Sequence, residues 1–105
     1  MQNEIIFYTS KSGYCQIQSW ARNLSVENRK RLYERLERVK VGNFGDHKNL
    51  GDGIYELQFH FGSGYRIYFV KSGVNIIILL CAGAKESQQK DIKKAKILWS
   101  EYEND

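Results

Sequence analysis

Apolar and polar residues alternate strictly from Tyr55 to Phe61 and again from Tyr65 to Phe69, on either side of Gly62-Ser63-Gly64. A period of two predicts two strands, and the glycine-bounded loop between them predicts a β-hairpin. Tyr55, Leu57, Phe59 and Phe61 share one face of the first strand, and Glu56, Gln58 and His60 share the other. On the second strand Tyr65, Ile67 and Phe69 oppose Arg66 and Tyr68. A three-residue turn at Gly62-Ser63-Gly64 keeps these faces consistent, setting His60 across from Arg66 and Gln58 across from Tyr68; a two-residue turn would mix them. The expected hairpin has an apolar floor and an open polar ridge of Glu56, Gln58, His60, Arg66 and Tyr68. Such a ridge can hold a phosphate and move protons.

The flanking pattern adds helices and two more strands. Glu4 to Tyr8 reads as a short strand, and Tyr14 to Leu24 as a helix with Ile17, Trp20, Ala21 and Leu24 at helical spacing. Ser25 is the expected N-cap of a second helix, with Leu32, Tyr33, Leu36 and Val39 as its buried stripe. Arg29, Lys30, Arg31, Arg35 and Arg38 crowd its remaining faces, and Gly42-Asn43-Phe44-Gly45-Asp46 ends it. After the hairpin, Ser72-Gly73 turns the chain into a strand over Val74 to Ala82. That strand hardly alternates, so it is expected inside the sheet with helices covering it. Ser87 is the expected cap of a last helix reaching Tyr102, with Ile92, Ala95, Trp99 and Tyr102 as its stripe. The order βααβββα predicts a small antiparallel sheet packed with helices, of the α+β class, as a single domain over 1–105.

Composition adds few constraints and charge adds one. At 42% hydrophobic and 13% aromatic, the chain has the means to fold around a modest core. The net charge of +4 is concentrated: Ser25 to Lys48 holds seven Lys/Arg against four Asp/Glu, leaving nine against eight elsewhere. A basic helix and loop of this kind suit a polyanion, although they also describe a solvated helix face. Cys15 and Cys81 have no partner at metal-ligand spacing and read as packing residues of a reduced compartment. No signal-peptide pattern follows Met1, and the longest apolar run is too short to span a bilayer, so a cytoplasmic chain without membrane contact is expected.

The chain resembles the RelE/ParE superfamily of toxins from type II toxin–antitoxin modules, and within it the HigB-like branch of addiction module killer proteins. The resemblance rests on Gly42-Asn43-Phe44-Gly45-Asp46-His47-Lys48, Gly53-Ile54-Tyr55-Glu56-Leu57 and Gly62-Ser63-Gly64-Tyr65-Arg66-Ile67-Tyr68-Phe69. Leu80-Cys81-Ala82-Gly83-Ala84-Lys85 and the segment from Gln88 to Ile92 complete it. Two positions depart from the branch: Gln58 stands where arginine is common, and Ser63 where proline is common. The resemblance implies cleavage of messenger RNA in the ribosomal decoding site and neutralisation by a small cognate antitoxin, often a helix-turn-helix protein. The two N-terminal helices are a candidate surface for that partner. It also implies that the loops bearing Lys48 and Lys85 converge on the active face of the sheet. ParE-like inhibition of DNA gyrase is the alternative from the same superfamily, and passive RNA binding through the basic helix is a third reading.

Metal-free RNA cleavage needs a base for the 2′-hydroxyl, positive charge at the pentacoordinate phosphate and a proton for the leaving 5′-oxygen. No Asp/His cluster has metal-ligand spacing, so a route without metal or other cofactor is expected. Arg66 is the expected phosphate clamp, since a planar guanidinium holds two phosphate oxygens; its structural alternative is an ion pair with Glu56. Lys48 and Lys85 are candidates for added charge, and His60 for proton transfer, with His47 a weaker candidate. Tyr68 can stack on an extruded base, Gln58 can contact substrate, and Arg29, Lys30 and Arg31 can follow the RNA backbone.

Overall fold

The computed structural model describes residues 2–104. Among the described residues five strands form one sheet, in the spatial order β1-β5-β4-β3-β2: β1 is Glu4–Phe7, β2 His47–Gly51, β3 Ile54–Gln58, β4 Arg66–Lys71 and β5 Ile76–Gly83. Three helices accompany it: α1 (Gln16–Arg22), α2 (Val26–Lys40) and α3 (Gln88–Glu103), the last preceded by a 3-10 turn at Lys85–Ser87. The class is α+β as the pattern predicts, and the order βααββββα contains one strand more than expected. That strand is β2. Its sequence His-Lys-Asn-Leu-Gly carries one apolar residue and no alternation, because it is an exposed edge held mainly by its ladder to β3, with Leu50 packed against the core on the α3 side. The pairs from β2 to β5 are antiparallel, whereas β1 adds to β5 in parallel.

The two sheet faces bury different residues. Leu57, Phe59, Ile67, Phe69, Ile77 and Leu79 lie with Ile17, Ala21, Leu32, Leu36 and Val39 under α1 and α2. Ile54, Tyr68, Val70, Ile78, Leu80 and Cys81 lie on the opposite side with Ala95 of α3. β5 is apolar on both sides because it runs between β1 and β4 with helices over both faces. A bulge opposite Tyr68 and Phe69 breaks its alternation, which lets consecutive Leu80 and Cys81 join one cluster. Beyond the end of β1, the Gln16 side chain continues the ladder, donating to the Ala82 carbonyl and accepting from the Ala82 amide, each at 2.8 Å. Burial pushes the Cys81 thiol up to about 12, which makes it an unreactive packing group.

Several local expectations change. Ser25 does cap α2, accepting from the Asn28 amide at 3.1 Å. Ser87 does not cap α3 in that way; its hydroxyl donates to Asp91 at 2.5 Å. Tyr33 and Tyr102, assigned to buried stripes, are 45% and 41% exposed. Conversely Arg35, assigned to a solvated face, is buried. Its guanidinium donates to the carbonyls of Phe44, Asp46 and Gln58 at 2.8–3.1 Å and lies 5.0 Å over the Phe59 ring. One arginine therefore ties α2 to both the loop before β2 and the end of β3. Among the described residues no helix is long and apolar enough to cross a membrane.

Candidate functional site

The hairpin has the predicted faces and a different register. Gln58 pairs with Arg66 and Glu56 with Tyr68, a shift of two residues from the expected pairing. Side chains keep their faces under a shift of two, which is why parity alone did not expose it. The cause is aromatic packing at the tip. Phe61 lies edge-on to Phe59 (5.5 Å) and Tyr65 (5.7 Å), and Tyr65 lies edge-on to Trp20 of α1 (5.3 Å), so the chain leaves the sheet after Gln58. Phe59 to Tyr65 then form the connection, closed by a bond from the Phe59 amide to the Tyr65 carbonyl at 2.9 Å. Gly62 takes φ +63° there, and a Cβ on it would overlap the Tyr65 ring.

His60 is consequently not beside Arg66. It lies in the connection, exposed, with Nε2 bonded to the Asp46 carboxylate, and lines a cleft against α2. This bond is the main reason the Asp46 carboxyl is held below its usual range. His47 is also elsewhere, with its ring tilted against Phe44 at 5.4 Å.

The polar ridge itself exists but is not open. Across the sheet, Lys48, Glu56, Tyr68 and Cys81 form one row, and Gln58, Arg66 and Gly83 form the next. Glu56 and Tyr68 are fully buried, and the Arg66 side chain is 14% exposed. The cover is the first turn of α3. Gln88 donates to Glu56 Oε2 at 2.8 Å while Gln58 donates to Glu56 Oε1 at 2.9 Å. A buried carboxylate needs this kind of compensation. Arg66 completes the cluster with Nε 3.7 Å from Glu56 Oε2 and Nη1 donating to the Gly64 carbonyl at 3.0 Å. The structural alternative for Arg66, pairing with Glu56, is thus present.

Two donors in this cluster are left over. Arg66 Nε and the Tyr68 hydroxyl are buried without a hydrogen-bond partner. Burial, and next the Glu56 charge, push the Tyr68 phenol above its usual range, so it stays protonated at neutral pH. Lys85 approaches from the start of the 3-10 turn: a Cβ on Gly64 would lie 3.3 Å from Lys85 Cβ and 3.7 Å from Arg66 Nη1. The structure therefore brings Arg66, Tyr68 and Gln58 together around Glu56, with exposed Lys85 beside the Gly64 loop and exposed Lys48 on the same side of the sheet at the position across from Glu56.

Arg29, Lys30 and Arg31 belong to α2, on the other side of the sheet. Arg29 is not free to follow a polymer; it donates to the carbonyls of Ala21, Arg22 and Leu24 at 3.0–3.2 Å and so closes the end of α1. Lys30 and Arg31 are exposed. Gln88 was not foreseen as a partner of Glu56, and no periodic signal marks it, because it acts from the first turn of α3 across 32 positions.

Gly83 makes the close approach of α3 possible. A Cβ there would overlap the Asp91 carboxylate and come 2.9 Å from Ser87 Oγ. Gly83→Ala is expected to lower stability by about 1–3 kcal/mol through overpacking, read as a lower urea midpoint. An unchanged midpoint would mean that the first turn of α3 moves aside without loss.

An uncharacterized protein of Haemophilus influenzae is 43% identical over 84 residues, covering 79% of this chain and 85% of the relative. The family described as phage-derived protein Gp49-like matches residues 19–100, from within α1 to within α3. That span includes β2 to β5 and every member of the Arg66 cluster. The chain belongs to this Gp49-like family of toxins from toxin–antitoxin modules, in the RelE/HigB-like superfamily, which implies an antitoxin partner.

Proposed function

We propose that the chain is a HigB-like messenger RNA endonuclease that cuts transcripts on translating ribosomes in the cytoplasm, inhibits translation and is neutralised by a helix-turn-helix antitoxin. The observation that carries the reading is the set of cations on one side of the sheet: Arg66, whose side chain keeps 14% exposure, the Lys85 chain beside Gly64, and exposed Lys48 across from Glu56. In the proposed step the 2′-oxygen attacks phosphorus, its proton leaves to a base, the bond to the 5′-oxygen breaks and that oxygen takes up a proton. Arg66 and Lys85 stabilise the added negative charge of the pentacoordinate phosphate and Lys48 adds charge at the rim, whereas Tyr68, fully buried, neither stacks on a base as expected nor reaches the phosphate and instead packs beside Arg66. Glu56 is a positioning residue: held by Gln58 and Gln88, it aims the guanidinium.

The cluster offers no exposed base, since Glu56 is buried between two amides and His60 faces α2. Ribosome dependence follows from this, because the ribosome then has to align the 2′-hydroxyl and help deprotonate it. Purified chain is expected to cut messenger RNA in a translating extract and to leave the same RNA intact alone. Efficient cutting of naked RNA in EDTA would contradict the ribosome-dependent part. The burial of Arg66 against Glu56 favours one second reading, a non-catalytic toxin such as a gyrase inhibitor.

A further inference from the structure

A cleft of about 310 Å3 lies between α2 and the hairpin connection, on the sheet side opposite the Arg66 cluster. Arg31, Arg35 and Arg38 line it from one stripe of α2, and Phe59, His60 and Phe61 line it from the connection. Arg35 forms its floor and is committed to three backbone carbonyls. Arg31 and Arg38 are exposed above it; Arg31 lies 5.6 Å over the Phe61 ring and donates to the exposed Glu27 carboxylate at 3.0 Å, a surface ion pair that a phosphate can displace. Among the described residues the Arg38 guanidinium has no hydrogen-bond or ion-pair partner, and its charge adds to the burial that lowers the Arg35 pKa. Glu34 is the one carboxylate in the lining, and nearby Asp46 is occupied by His60. Three guanidiniums converge against Glu34 and the solvent-exposed Glu27, leaving a net positive charge, centred on Arg38, that favours an anion.

The chemistry of the walls narrows the ligand. Forked guanidiniums match paired phosphate oxygens, and a partly exposed phenyl ring beside them suits a base. A peptide carboxylate would use the charge and leave the ring unused. The volume is at the lower end of ligand sites, on the order of 300 Å3, suited to a single unit of a polymer. We infer that this cleft binds one nucleotide of single-stranded RNA, with Arg31 and Arg38 on the phosphate and Phe61 beside the base. The identity of the polymer rests on the RNA-directed reading above; the anion site itself rests on the arginine stripe.

Fluorescence anisotropy of a labelled single-stranded oligoadenylate, titrated over a salt series, tests it. Arg31→Ala and Arg38→Ala are each expected to weaken binding and to reduce the salt slope by about 0.7, with the double variant about tenfold weaker. Lys93→Ala, an equal charge change on exposed α3, is expected to have no such effect. Arginine variants that bind like Lys93→Ala overturn the inference. So do variants that keep the oligonucleotide and lose an oligoglutamate peptide, which would make the cleft an acidic-peptide site. If the wild-type chain cuts no transcript yet binds the oligonucleotide through Arg31 and Arg38, the nuclease reading fails and the cleft stands.

Discussion

Replacing Arg66 with alanine is expected to abolish growth inhibition while the protein stays folded and still binds its antitoxin. The guanidinium is the most central cation of the cluster, and removing one preorganised donor to a transition-state oxyanion costs about 10²–10³ in rate. The effect on the fold should be smaller. Glu56 keeps its bonds from Gln58 and Gln88, and the lost contact to Arg66 is 3.7 Å long, beyond hydrogen-bond distance. A stability loss of about 1–3 kcal/mol is expected from leaving the buried Glu56 carboxylate without its cation, the two amide bonds limiting the loss. Arg66→Lys retains charge without the fork and should recover only part of the activity. Growth after induction, a thermal melt and co-purification with antitoxin report the three quantities separately. A fully toxic, well-folded Arg66→Ala protein would remove the clamp assignment.

The largest effect on stability is expected at Arg35. Arg35→Ala takes the guanidinium donor from the carbonyls of Phe44 and Gln58, leaves the Asp46 carbonyl only its bond from the Gln58 amide, and removes the cation over Phe59. Each unsatisfied buried acceptor costs about 1–3 kcal/mol, and shared relaxation makes a total of roughly 3–5 kcal/mol reasonable. That is a large part of the stability of a domain this size. Arg35→Lys cannot reach all three carbonyls from one ammonium and should recover a minority of the loss. Urea unfolding followed by circular dichroism gives the values, and a loss below about 1 kcal/mol would contradict the tethering role of Arg35.

Features that repeat at a fixed period were legible in the sequence. The alternation of Tyr55 to Phe61 placed Leu57 and Phe59 on one side of the sheet and Glu56 on the other, and the apolar run in β5 announced cover on both faces. Features without a period were hidden. β2 carries almost no apolar signal because an edge strand is held by its backbone. The register depended on how Phe61, Tyr65 and Trp20 meet, a contact between the hairpin tip and a helix some forty residues earlier. Arg35 read as one more solvated charge, since nothing local reveals that three distant carbonyls await it. The same blindness applies to the site. The residues of the ridge were identified, but α3 lies over them, and the imidazole expected beside Arg66 faces α2 instead.

Mapping of transcript 5′ ends after brief induction, for the wild-type chain and Arg66→Ala, each with and without the neighbouring gene, tests the central claim most directly. New 5′ ends inside translated regions are expected with the wild type alone, and none with Arg66→Ala or with the antitoxin present. Growth arrest accompanied by gyrase-linked DNA breaks and unaltered transcript ends would contradict the nuclease account.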